Sequence, residues 1–200
     1  KLTHVEKGIT FFTWVNPYRL NAGQQMIVAK NVYAKNHREW SVMVDRDNRF
    51  TLYLYQGGWQ TVKADTPVKP GHWFQVGVVI KPGVAELWVN GKREGTRKLT
   101  KPLPQTAAPF TLGGVNDNGR IWQNLFGALD EARFYNRPLS PREITGLYRP
   151  VSALHDVPKL TAGLPLWDAT QTLPGAAELP QVAGAEFHVI KKQRPDTDGA

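Results

Sequence analysis

The stretch GHWFQVGVVIKPGVAELWVNGK, residues 71–92, decides the fold. Its β-branched and aromatic residues form two short apolar runs separated by Lys81-Pro82-Gly83, a turn signal. The second run ends on Asn90-Gly91, the strongest local signal for a tight hairpin. A third strand, beginning in GKREGTRK, must then return alongside it.

The pattern repeats on both sides. GITFFTWVNP (8–17) is a strand stopped by Asn16-Pro17, and QQMIVAK (24–30) is another. In REWSVMVDRDNRFTLYLYQGG (38–58), Trp40, Val42 and Val44 share one face and DRDN turns the chain. Phe50, Leu52 and Leu54 then alternate with Thr51, Tyr53 and Tyr55 on the return. FTLGG (110–114), the polar glycine-bearing loop VNDNGR (115–120) and FGALDEARFYN (126–136) follow. Only SPREITGLY (140–148) reads as a helix, with Ser140 as N-cap, Pro141 in the first turn and Glu143 completing a capping box. Many short strands without internal helices imply two packed antiparallel sheets. Residues 150–200 are rich in Pro, Ala and Gly and read as a linker, with AEFHVIKKQ (185–193) a candidate first strand of a following domain.

The 200 residues carry a formal charge of +8, with 41% hydrophobic and 21% charged residues and no cysteine. Disulfides and thiolate chemistry are thereby excluded, and no apolar run is long enough to span a bilayer. The charge favours an anionic partner. Its basic residues are scattered, however, with no recognition helix, zinc-finger spacing or phosphate-binding loop, which argues against nucleic acid. An acidic glycan satisfies the charge equally well, as does a merely solubilising surface.

Read together, ITFFTWVNP, GHWFQVGVVIKPGVAELWVNGK, FTLGG and FGALDEARFYNRPLSPREI resemble the laminin-G-like, concanavalin A-like family over about residues 8–149. The resemblance implies an all-β, two-sheet antiparallel jelly-roll β-sandwich in residues 1–149, followed by an extended C-terminal linker. The family's usual strand before TFFTWVNP has no counterpart in KLTHVEK. The resemblance further implies an accessory module of a glycan-active enzyme or adhesion protein, located outside the cell or in the periplasm. AEFHVIKKQRPDTDGA (185–200) resembles the entry to a sialidase-like β-propeller, so a downstream catalytic domain of the same chain is an expected partner.

Asp130 and Glu131, adjacent in the closing strand, invite a catalytic reading. Glycoside hydrolysis needs two carboxyl groups about 5 to 9.5 Å apart facing one sugar bond, whereas neighbours on a strand point to opposite faces. Alternation puts Leu129, Glu131 and Arg133 on one face and Asp130, Ala132 and Phe134 on the other. Glu131 is expected to pair with Arg133. Asp130 is expected to be partly buried as a structural anchor, its carboxylate held by backbone amides or, as the alternative, by calcium. No catalytic residue is assigned, the histidines lack ligand spacing, and no other cofactor is expected.

Trp14, Trp73 and Trp88 lie in apolar patterns and are assigned to packing. An exposed aromatic beside amides and a guanidinium suits a sugar, because the ring covers the pyranose face and the polar groups read its hydroxyls or charges. Trp122 with Arg120, Asn116 and Asn118 in NDNGRIWQN meets that description, joined by Trp59 and Arg38. The expected function is non-catalytic binding or positioning of a polysaccharide or glycoconjugate, anionic ones included. The alternative is a structural β-sandwich packed on a catalytic domain.

Overall fold

The computed structural model describes residues 7–148. The expected linker, the candidate strand at 185–193 and the segment where the family's first strand would lie fall outside these residues. Within them, all strand pairings are antiparallel and form two five-stranded sheets and a small hairpin. The first sheet contains β1 (Ile9–Pro17), β6 (Phe74–Lys81), β7 (Val84–Val89), β8 (Lys92–Lys98) and β12 (Gly127–Tyr135), in the order β12-β1-β6-β7-β8. The second contains β2 (Gln25–Val32), β3 (His37–Val44), β4 (Arg49–Tyr55), β5 (Trp59–Pro67) and β9 (Thr111–Leu112), in the order β5-β4-β3-β2-β9. The hairpin is β10 (Val115–Asp117) with β11 (Arg120–Trp122), and one helix, α1 (Pro141–Leu147), follows.

The turn chemistry explains the order. Asn48 (φ 59°) ends the DRDN turn, and Asn90 and Gly91 (φ 50° and 72°) make the β7–β8 turn. Positive φ at both central residues gives that turn a twist matching the strands it joins. Residues 71–92 thus become β6 and β7, with β8 continuing the same sheet.

Alternation then builds the core. Trp40, Val42, Val44, Phe50, Leu52 and Leu54 of the second sheet meet Phe11, Val76, Val78, Ile80 and Leu87 of the first, all essentially inaccessible. Phe11, Trp40 and Phe134 gather around Phe110, with ring centroids 5.4 to 6.0 Å from it. Each aliphatic or aromatic side chain sequestered in this way contributes about 1.5–3 kcal/mol. Helix α1 begins with the expected capping box. It covers the outer face of the first sheet, where Leu139 and Ile144 pack on Phe12, Val79 and Trp88.

The segment joining β8 to β9 is fastened by a buried ion pair. Lys30 Nζ lies 2.9 Å from Glu39 Oε1, with side-chain exposures of 5% and 1%. Glu39 Oε1 accepts from Thr106 N and Thr106 Oγ1, both at 2.7 Å. Lys30 Nζ donates to the carbonyls of Ala108 (3.1 Å) and Thr106 (3.3 Å).

The closing strand departs from simple alternation. Phe12 pairs with Arg133 but Trp14 pairs with Asp130, so β12 holds one extra residue at this point. Glu131 absorbs the bulge with φ 48°. The bulge shifts the phase of the strand, and Leu129 and Phe134, five positions apart in sequence, both pack against the core. Asp130 is therefore exposed, not partly buried as strict alternation implies. Its carboxylate accepts the adjacent Glu131 N–H at 2.7 Å and so holds the bulge locally. Glu131 forms the expected pair with Arg133 at 2.8 Å, on the surface.

Candidate functional site

The outer face of the second sheet carries the aromatic side chains that the core does not use. Since Leu52 and Leu54 point inward, Tyr53 and Tyr55 must point outward. Trp59 lies directly opposite Tyr55 in the β4–β5 ladder, and cross-strand partners project to the same side. Tyr33 joins them from a 3-10 turn (Tyr33–Lys35) that Asn36 closes at φ 55°. The Trp59 ring meets Tyr55, Tyr53 and Tyr33 edge to face, at centroid separations of 5.3, 6.0 and 6.5 Å. All four rings are half-buried. Arg38 lies beside them, its Cζ 5.7 Å from the Tyr55 centroid and its guanidinium bonded to Asn36 Oδ1.

A chain of polar groups crosses the same face. Tyr53 Oη donates to Asp45 Oδ2 at 2.5 Å, and Gln24 Nε2 donates to Asp45 Oδ1 at 3.2 Å and to Tyr53 Oη at 3.1 Å. Gln123 Nε2 donates to Gln24 Oε1 at 2.8 Å, and Tyr33 Oη donates to Gln123 Oε1 at 3.3 Å. Partial burial acts to raise the Asp45 carboxyl, but bonds from Tyr53, the Arg46 N–H and Gln24 outweigh it and hold the group below the usual range. Burial, then the bond to Asp45 and its charge, pushes the Tyr53 hydroxyl well up, so it remains a donor. Burial and the nearby Asp117 also raise Tyr33, while Arg38 opposes them.

VNDNGR forms the β10–β11 hairpin, a strand pair that its loop-like composition concealed. Asn118 and Gly119 turn it at φ 57° and 93°, and Asn116 Oδ1 accepts the Gly119 N–H at 2.8 Å. Asn116 and Asn118 thus build the turn. Asp117 Oδ1 ties the hairpin to the Ala34 N–H at 2.6 Å, and Gln123 O accepts from Met26 N at 2.7 Å. Val115 is buried with Met26, Ala29 and Met43 on the outer face of the second sheet. Trp122 is its cross-strand partner, so it shares the sheet-facing side of the hairpin. Trp122 is 42% exposed, and the Arg120 Cζ covers its ring at 4.0 Å.

Trp59, Arg38, Trp122 and Arg120 therefore border one face, with Tyr33 touching both Trp59 and Gln123. Tyr33, Tyr53, Tyr55, Gln24 and Gln123 add to the residues that the sequence points to on this face. Tyr53 and Tyr55 could have been found from their alternation opposite Phe50, Leu52 and Leu54. Asp130 lies elsewhere, on an edge strand of the first sheet. Among the tryptophans assigned to packing, Trp88 is buried and donates to Glu86 Oε2 at 2.9 Å, and Trp14 stacks on Tyr148 at 5.9 Å. Trp73 is the exception, 36% exposed just before β6. Among the described residues, no three His, Asp or Glu side chains converge in a geometry that could hold a metal ion.

A half-buried aromatic floor crossed by amides, a phenol and carboxylate, with guanidinium groups at its margins, can stack on a ring while exchanging hydrogen bonds with its substituents. The sandwich is similar to several solved structures. The CBM40 module of the Ruminococcus gnavus IT-sialidase superposes with a TM-score of 0.62 at 14% identity, covering 72% of this chain and 83% of that one. Domain 4 of AbnA, a GH43 extracellular arabinanase from Geobacillus stearothermophilus, gives 0.57 at 21% identity, covering 74% and 69%. A SAP-like pentraxin from Limulus polyphemus gives 0.55 at 16% identity, covering 72% and 70%. At these identities the likeness is one of fold. No curated protein sequence matches the chain. The family model for the concanavalin A-like lectin/glucanases superfamily, a laminin-G type, matches residues 1–145, and with the two-sheet sandwich this places the chain in that family.

Proposed function

We propose that the chain is a non-catalytic carbohydrate-binding module whose ligand lies across the outer face of the second sheet. The observation that carries this reading is the half-buried Trp59 ringed by Tyr33, Tyr53 and Tyr55, with Gln24, Gln123 and Arg38 on the same face. Stacking of a sugar face on an aromatic ring supplies affinity, and the amides give direction. Solved relatives support it: the arabinanase domain is in complex with arabinotriose, and the sialidase module is bound to α2,3 sialyllactose. The finer reading is an anionic glycan. Arg38 and Arg120 border the face, neither forms an ion pair among the described residues, and the chain is +8 overall. In this role the module positions substrate, outside the cell or in the periplasm, for a catalytic domain of a larger glycan-processing enzyme.

One observation favours a second reading. Arg120 already occupies one face of Trp122 and so leaves less of that ring open to a sugar, which suits a structural sandwich better than a binding one. A glycan array that includes sulfated and uronic polysaccharides, followed by titration of the best ligand, separates the two. Trp59→Ala should weaken a genuine complex by about tenfold or more, the loss of roughly one stacking contact. Arg38→Ala should matter most at low salt if the glycan is anionic. Absence of binding to every glycan by a folded parent would leave the structural reading.

A further inference from the structure

A cavity of about 480 Å³ opens where the β6–β7 turn meets the segment after β8. It is separate from the aromatic face and is lined by Pro82, Pro102, Leu99 and Leu103, with Lys81 and Lys101 among its walls. Its frame is tied from two sides. Leu99 N donates to Gly83 O at 2.9 Å, and Gln56 Nε2 donates to Lys101 O at 2.5 Å. Gly83 turns the chain at φ 82°, and a Cβ placed there would meet nothing within 4 Å.

The charges around it do not balance. Lys81 Nζ and Arg93 Nη1 both lie 3.6 Å from the same Glu86 Oε1, so one carboxylate serves two cations. Lys101 has no ion pair among the described residues, and the exposed Arg97 and Lys98 immediately precede the Leu99 wall. The cavity therefore offers an apolar floor under a positive field. An inorganic anion would satisfy the charge and leave the apolar wall uncovered. A neutral sugar would do the reverse. The volume falls within the roughly 300–1,000 Å³ typical of small-molecule sites.

We propose that this cavity is a second ligand site, which takes a compact carboxylated sugar of the uronate class. Its ring lies against Leu99, Leu103, Pro82 and Pro102, and its carboxylate lies beside Lys101, the wall lysine that has no ion pair among the described residues, whereas Lys81 is already held by Glu86. Prolines on both rims keep the walls pre-formed, and the charge-assisted bonds from lysine select the carboxylate.

Calorimetric titration of the whole chain with glucuronate, glucose and sulfate, at about 0.15 M salt to suppress long-range attraction, tests this. Glucuronate should bind at least about tenfold more tightly than glucose or sulfate, the difference expected from losing either the charge or the apolar contact. Lys101→Glu should weaken glucuronate by about tenfold or more. Thr100→Trp, which fills the mouth without altering charge, should do the same. Arg142→Glu, on exposed α1, changes the net charge equally and should leave binding intact. Undiminished binding in Thr100→Trp, equal losses in Lys101→Glu and Arg142→Glu, or sulfate binding as tight as glucuronate would each overturn the proposal. Melting curves of all three variants, substituted at exposed positions, establish that each is folded.

Discussion

Replacing Lys30 by methionine keeps the bulk of the side chain and removes its charge. Glu39, 1% exposed, would keep its two bonds from Thr106 but lose the only cation within 4 Å among the described residues. The carbonyls of Thr106 and Ala108 would lose their lysine donor as well. Stranding one member of such a buried pair costs about 3–5 kcal/mol. For a domain of this size each kcal/mol lowers Tm by about 2–4 °C, so Lys30→Met should melt roughly 10–15 °C below the parent. Urea denaturation and calorimetry on the whole chain read this directly. In Lys30→Met/Glu39→Gln, the amide oxygen still accepts from Thr106 while the orphan charge is gone. The double variant should recover about 1–3 kcal/mol relative to Lys30→Met alone. A Lys30→Met protein within about 1 kcal/mol of the parent, or a double variant less stable than the single, would refute the reasoning.

Gly77 lies between Phe12 and Trp88 in the first sheet, and a Cβ there would lie 2.3 Å from Phe12 Cδ1 and 2.4 Å from Phe11 O. Because one neighbour is backbone, Gly77→Ala should cost about 1–3 kcal/mol or more, measured by urea titration. At the β12 bulge, Glu131→Val should destabilise by about 1–2 kcal/mol, since a branched side chain tolerates positive φ poorly. Glu131→Gly should be neutral or stabilising, and the opposite order of the two melting points would contradict a left-handed residue there. Among the described residues, three carboxylates are held below their ordinary values: Asp45, Glu94 and, down to about 2, Glu143, whose main cause is the bond from Arg137. Their stabilisation is complete above the ordinary carboxylate range and is lost as pH falls through the depressed folded values. Glu143→Gln should therefore flatten the Tm profile between pH 4.5 and about 2.

Local chemistry made much of the sandwich legible. The Asn90-Gly91 turn, the DRDN turn and the Ser140–Glu143 capping box each depend on a few adjacent residues, and each forms as read. The bulge was not legible, because a glutamate at positive φ leaves no compositional mark. Strict alternation consequently places Asp130 in a partly buried position, whereas it is exposed. The buried Lys30–Glu39 pair is not legible for another reason: it joins three segments, with Thr106 lying 67 residues beyond Glu39. The site was legible in fragments. Trp59, Arg38, Trp122 and Arg120 stood out as aromatics and guanidiniums in polar surroundings. Tyr53 and Tyr55 were visible as the opposite face of β4, but alternation does not tell which outward face remains open once a hairpin has packed on the sheet.

The outer face of the second sheet is the proposed glycan site. Seven tryptophans give separate indole N–H signals, which NMR can follow while the best array-identified glycan is added to the whole chain. Shifts are expected at Trp59 and at Trp122. No change is expected at Trp88, whose N–H is bonded to Glu86 beneath α1 on the other sheet. Shifts confined to Trp73 and Trp14, with Trp59 and Trp122 unmoved at saturation, would contradict that site.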